Sequence, residues 1–74
     1  MTIEMRLFAT LRIGRSKVIP MEVPEGSVVS QLTDALDIPR EEIAILLVNG
    51  RDGSLDQVLR EGDTVSVFPP VGGG

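Results

Sequence analysis

Residues 3–8, Ile-Glu-Met-Arg-Leu-Phe, alternate apolar and polar until the last position, which is the period of a half-buried strand. The alternation places Ile3, Met5 and Leu7 on one face and Glu4, Arg6 and Phe8 on the other. Thr10 to Ser16 is polar and carries Gly14, which predicts a turn. From Lys17 to Val23 the strand period returns, with Ile19, Met21 and Val23 in phase. Pro20 has no N–H for a ladder, so this second strand of the hairpin belongs at a sheet edge. Ser27, after Pro24-Glu25-Gly26, is suited to cap a helix N-terminus, because its hydroxyl can accept an orphan backbone N–H. Val28, Leu32, Ala35 and Leu36 then recur at the spacing of one helical face, with Gln31, Thr33 and Asp34 toward water. Pro39 pushes Ile38 out of the helical region and ends the helix. At about ten residues it is too short to be stable alone and must lie on the sheet.

Arg40-Glu41-Glu42 leaves room for one polar turn before Ile43 to Val48, which is apolar in both phases. Such a run marks a strand covered on both sides, or one whose second face meets a partner. Asn49-Gly50 predicts a two-residue hairpin turn, since both positions tolerate positive φ. Ser54-Leu55-Asp56-Gln57 has capping-box spacing and predicts a single helical turn through Leu59. Glu61-Gly62-Asp63 turns the chain into a last alternating strand, Thr64 to Phe68, with Val65 and Val67 inward. The order predicts an α+β roll, a mixed sheet of four to five strands around one helix, with the first and last strands parallel at its centre. The globular unit is 1–68 and an extended tail occupies 69–74.

Composition narrows the chemistry. The chain has 74 residues with no cysteine, histidine, tryptophan or tyrosine. Disulfides, thiolate metal sites, iron–sulfur clusters and thiol nucleophiles are thereby excluded. The commonest general base and transition-metal ligand is missing as well. A chain this short hides only about 60% of its unfolded surface, which leaves no room for a second unit or a deep substrate cleft. An independent enzyme is not expected. Seven basic against eleven acidic residues give a net charge of −4. That balance argues against nucleic-acid binding and suits a partner with a positive surface. The first residues lack the apolar stretch of a signal peptide, and no segment is long and apolar enough to span a membrane, so the expected location is the cytoplasm.

The sequence closes with Phe68-Pro69-Pro70-Val71-Gly72-Gly73-Gly74. Pro69 and Pro70 cannot extend a sheet and carry the chain away from the domain. The three glycines have no side chains to anchor them and are expected to be mobile in the free protein. An ordinary frayed end or an inert spacer is the plain alternative. Against it, glycine fills only the last three positions, serine is absent, and a stiff Pro-Pro pair follows the strand directly. A segment without Cβ atoms threads a channel only as wide as a backbone and presents the Gly74 carboxylate inside another protein. Carboxylates are poor electrophiles. A partner would first attach AMP from ATP, and a sulfur nucleophile would then displace AMP to leave a thiocarboxylate.

These features together resemble the ubiquitin-fold sulfur carriers of the MoaD/ThiS family, and within it the molybdopterin-synthase small subunits more than the thiazole-pathway carriers. The resemblance lies in Leu7-Phe8-Ala9-Thr10-Leu11-Arg12, Leu47-Val48-Asn49-Gly50, Glu61-Gly62-Asp63 and the Phe-Pro-Pro-Val-Gly-Gly ending from Phe68, and it covers essentially the whole chain. It implies a β-grasp fold, activation by an ATP-dependent adenylating enzyme, and a thiocarboxylate at Gly74. It also implies a sulfur donor protein and a large-subunit acceptor carrying a pterin precursor. No cofactor is implied on the chain itself, and ATP is used by the activating partner. The chain departs from the family pattern in its short first connection and in ending on three glycines rather than two. These departures leave molybdenum or tungsten cofactor, thiazole and other sulfur-transfer routes open.

Phe8 and Phe68 are the two aromatic residues, and each falls on the polar phase of its strand. If those strands are parallel neighbours, both rings stand at one end of the outer face, beside the root of the tail. With Pro69 and Pro70 they would form a docking patch, while Val71, Gly72 and Gly73 thread the partner and Gly74 reacts. The alternative is that the strand ends bend and a ring joins the core. Arg12, Arg15 and Lys17 cluster near Gly14 and read as a solvated hairpin loop ahead of an anion or partner contact. Glu41, Glu42, Asp52, Asp56, Glu61 and Asp63 lack calcium-loop spacing and read as a solubilising face. Met1, Met5 and Met21 read as core filler or the initiator.

Overall fold

The computed structural model of the protein describes residues 1–70. Five strands form one mixed sheet: β1 Thr2–Leu7, β2 Val18–Glu22, β3 Ile45–Val48, β4 Arg51–Asp52 and β5 Thr64–Phe68. Their spatial order is β2-β1-β5-β3-β4. Helix α1, Val29–Ala35, accompanies the sheet, and 3-10 turns occupy Ala9–Arg12 and Arg40–Glu42. β1 and β5 run parallel at the centre with Met5 opposite Val65 and Leu7 opposite Val67. This is the α+β roll that the alternating strands predict, in the β-grasp form that the resemblance implies.

Phase decides which side chains are buried. Ile3, Met5 and Leu7 of β1 and Val65 and Val67 of β5 are fully buried and meet Val29 and Leu32 of α1. β2 is antiparallel to β1 with Pro20 opposite Glu4, on the free edge. Asn49 and Gly50 adopt φ of 53° and 80°, the left-handed pair that joins β3 to β4 in a two-residue turn. The Asn49 carboxamide also donates to Asp63 Oδ1 at 2.8 Å and accepts from the Thr64 N–H at 2.9 Å, tying that turn to the start of β5.

The helix differs from its expected register. Its N-cap is Val28, not Ser27. The Ser27 hydroxyl instead donates to the Pro24 carbonyl at 2.6 Å and closes the preceding turn. Gln31 reaches back to accept from the Val28 N–H at 2.8 Å. With the start shifted by one residue, the buried face is Val29, Leu32 and Thr33, with Leu36 packed at its edge, and Ala35 faces solvent. Thr33, expected in water, is 1% exposed, and its hydroxyl donates to the Ser30 carbonyl at 3.1 Å. Burying its methyl group leaves no polar atom unpaired.

The other two differences share a cause in hydrogen bonding and burial. The Ser54–Leu59 segment does not form a helical turn. Its carbonyls at Leu55 and Gln57 accept from the Ser30 and Val29 N–H groups at 2.9 and 3.1 Å, and Leu59 N–H donates to Ser27 at 2.9 Å. The segment therefore satisfies the orphan donors of α1, which a helix of its own would forbid. The stretch expected as a polar turn after β1 contains the 3-10 turn, because Leu11 within it is buried.

Candidate functional site

At the C-terminal ends of β1 and β5 the pairing continues one residue beyond β1. The Phe8 N–H donates to the Val67 carbonyl at 3.2 Å, which sets Phe8 level with Phe68. Both rings stand on the face opposite the helix and stack at 4.2 Å between centroids, with 10° between their planes. Each is half-buried rather than absorbed into the core. On the other side of β5, Ile45 of β3 is opposite Phe68, and the Ala44 N–H donates to the Phe68 carbonyl at 2.9 Å. Ile45 is 51% exposed.

These residues enclose one wall-to-wall apolar groove of about 410 Å³, lined by Phe8, Ala9, Thr10, Ile45, Phe68, Pro69 and Pro70. Ala9 holds φ at 53°, a left-handed conformation unusual for a residue with a Cβ, where the chain leaves the sheet. The root of the tail thus forms part of the groove. Of the site residues expected from the sequence, the structure brings together Phe8, Phe68, Pro69 and Pro70. Val71, Gly72, Gly73 and Gly74, including the expected mobility of the glycines, lie outside the described residues. Ile45, Ala9 and Thr10 join the site without having been singled out. The signal for Ile45 is the two-phase apolar run of Ile43 to Val48, whose second face opens here.

No groove residue is ionisable and the lining is apolar apart from the Thr10 hydroxyl, which suits recognition of another apolar surface. Around it the sheet is polar: Arg6 Nε donates to Glu4 Oε2 at 2.5 Å on the same face. Arg15 is committed elsewhere. Its guanidinium donates to the carbonyls of Leu36, Leu11 and Asp37 at 3.1, 3.2 and 3.1 Å, so it fastens the loop to the end of α1 and is not a solvated loop residue. Among the described residues no acidic group is arranged to hold a metal ion. No helix among them is long and apolar enough to cross a membrane.

A five-stranded β-grasp sheet with an apolar groove at the root of a glycine-ended segment defines a small protein of the ubiquitin-like class. The description of the ThiS family matches residues 5–74, and the chain belongs to that family. Its members are sulfur carriers and ubiquitin-like modifiers of this shape. No curated protein sequence matches the chain significantly. Among solved structures, SAMP1 from Haloferax volcanii is similar over the whole of both chains, with 26% identity and a TM-score of 0.81. A Pyrococcus furiosus protein described as molybdopterin converting factor subunit 1 is 31% identical over 96% of this chain and 99% of that one, with a TM-score of 0.76. Subunit 1 or 2 in a complex of the molybdopterin-converting factor from Helicobacter pylori is similar over all of both chains at 21% identity, with a TM-score of 0.68.

Proposed function

We propose that this chain is a sulfur carrier, a protein cosubstrate that brings its C-terminal carboxylate to chemistry performed by others. The observation that carries the reading is the groove itself: a recognition surface without an ionisable group, built into the root of the tail. An adenylating partner docks on Phe8, Ile45, Phe68 and Pro69, while Val71, Gly72 and Gly73 thread its channel. A Gly74 carboxylate oxygen attacks the α-phosphorus of ATP and expels pyrophosphate. Hydrosulfide delivered by a donor protein then attacks the acyl carbon, forms the C–S bond, expels AMP and loses its proton, which leaves a thiocarboxylate at Gly74. The charged tail passes its sulfur to an acceptor held by a larger subunit. Molybdopterin biosynthesis is the pathway proposed first. Its support is the likeness to molybdopterin converting factor subunit 1 and to a structure in which subunits 1 and 2 form a complex.

A second reading has its own support in the likeness to SAMP1, which another solved structure from Haloferax volcanii gives its full name, small archaeal modifier protein 1. There the same adenylate would be attacked by a lysine amine of a target protein. One experiment separates the two: intact-mass measurement after incubation with ATP, the adenylating enzyme of the source cells and a sulfur donor. Replacement of one oxygen by sulfur on the free chain is the expected result. Adducts to other proteins would favour the modifier, and an unchanged mass would overturn both. Extending the chain by one residue after Gly74 should abolish the sulfur exchange.

A further inference from the structure

Where the chain turns with positive φ, it does so on residues that bear that conformation. Among the described residues seven positions hold positive φ: four are glycines, and two are Asn49 and Asp37, whose short polar side chains tolerate the left-handed region. The seventh is Ala9, at 53°. A methyl group has no polar atom to offset the crowding of Cβ against the backbone there, so this position is strained.

The surrounding structure dictates the turn but not the residue. The Phe8 N–H is bound to the Val67 carbonyl on the sheet, and Leu11, three residues on, is 1% exposed in the core. The Leu11 N–H returns to the Phe8 carbonyl at 3.1 Å, so the chain reverses from sheet to core within four residues. Ala9 is the first central residue of that turn, and Thr10, the second, is not left-handed. In turns of that kind the first central position favours glycine. Glycine would also suit the core, because Ala9 is exposed and stands outside the hydrophobic cluster. What Ala9 does line is the groove, with Phe8, Ile45, Phe68 and the Pro69-Pro70 root of the tail. The methyl is all the side chain it offers there, and it has no rotamer freedom to lose when a partner covers it.

We propose that the Ala9 methyl is a specificity-determining contact of the groove, retained against backbone strain because an apolar side chain of the adenylating partner packs on it. The inference rests on the docking reading of the groove and narrows it. The partner's surface must reach past the stacked rings to the turn that follows β1. An aliphatic or aromatic side chain suits this corner, whereas a charged one would lose its water where no ionisable group can pair with it. Covering one methyl contributes about fourfold in affinity.

The test measures stability and binding on the same variants of the full chain. Ala9→Gly should raise the midpoint of thermal unfolding by about 2–6 °C, as relief of strain does in a chain of this size. The same change should weaken calorimetric binding to the adenylating enzyme of the source cells about fourfold. Glycine also loosens the backbone, so a second variant separates the methyl from the flexibility. Replacing Ala9 by 2-aminoisobutyrate in a chemically assembled chain keeps the methyl on a residue of no handedness. That chain should be at least as stable as Ala9→Gly and bind like the natural one. A lowered midpoint in Ala9→Gly would make the methyl a support of the fold. Unchanged binding in Ala9→Gly, or equal weakening in both variants, would remove its part in recognition, and each of these results overturns the proposal. Phe68→Ala, measured alongside, keeps the two readings apart. If it binds like the natural chain, docking on the groove fails. If it binds weakly while Ala9→Gly binds normally, the inference about Ala9 alone fails.

Discussion

Phe8 and Phe68 show how a residue's phase can matter more than its type. Both are large and apolar, yet both stand on the face opposite the core because β1 and β5 place Leu7 and Val67 inward one position earlier. Their stacking is worth about 0.5–1.5 kcal/mol beyond the area they bury. Because each ring is half-buried, Phe68→Ala is expected to cost well under the ~3–5 kcal/mol of a fully buried phenylalanine. The same change should weaken binding to the adenylating partner about tenfold or more, as loss of an aromatic anchor does. Urea unfolding and titration calorimetry on the one variant read both quantities. A stability loss in the core range with unaltered binding would make the ring a structural support and remove the docking role. The phase of these two residues was readable in the sequence. The third wall was only half legible: the two-phase apolar run of Ile43 to Val48 signals a second apolar face, but Ile45 comes beside Phe68 only through the pairing of β3 with β5, and nothing local in either strand sets that register.

At the scale of elements, the strands were legible and the helix ends were not. Alternation over five or six residues fixes the buried face of a strand, since a one-residue slip would invert every side chain. A seven-residue helix has under two full turns, so a single displaced cap rotates its whole face. Val28 and Val29 are both apolar and Thr33 can bury its methyl, so the sequence contains two nearly equal stripes. The contacts that choose between them come from Leu55 and Gln57, more than twenty residues away. The far end of α1 is a Schellman closure: Ile38 N–H donates to Thr33 at 2.9 Å and Asp37 N–H to Asp34 at 3.0 Å. The left-handed position, with φ of 58°, is held by Asp37 where glycine is the usual occupant. A carboxylate there also faces the negative end of the helix dipole. Asp37→Gly is therefore expected to raise stability by about 0.5–1 kcal/mol. Chemical denaturation with an unchanged slope is the check, and a loss of stability would mean that the Asp37 side chain makes a contribution larger than both penalties. Arg15, which fastens its loop to the carbonyls of Leu36 and Asp37, should remain in place because only backbone atoms receive its bonds.

For the whole molecule, the question is how far the globule and its tail are separable. Among the described residues, the hydrophobic cluster runs from Ile3 to Val67 and contains no residue beyond β5. The central parallel pair, the helix and both hairpins are likewise complete by Phe68. A chain shortened to end at Val71 is thus expected to unfold within about 0.5 kcal/mol of the full protein, the range of surface changes away from structural contacts. It should also keep the groove intact and still occupy the adenylating partner, so that it competes with the full chain while accepting no AMP. Surface charge sharpens the same comparison. With a net charge of −4, encounter with a basic partner should slow as salt rises, equally for both chains, because the shortened one loses no charged side chain. Stopped-flow association at two ionic strengths, followed by a mass measurement for the acyl adenylate, reads recognition and reaction separately. Equal binding with no adenylate on the shortened chain would locate recognition in the sheet and reactivity in the last three residues. Failure of the shortened chain to bind would place recognition in the glycines and leave the aromatic groove without its proposed part.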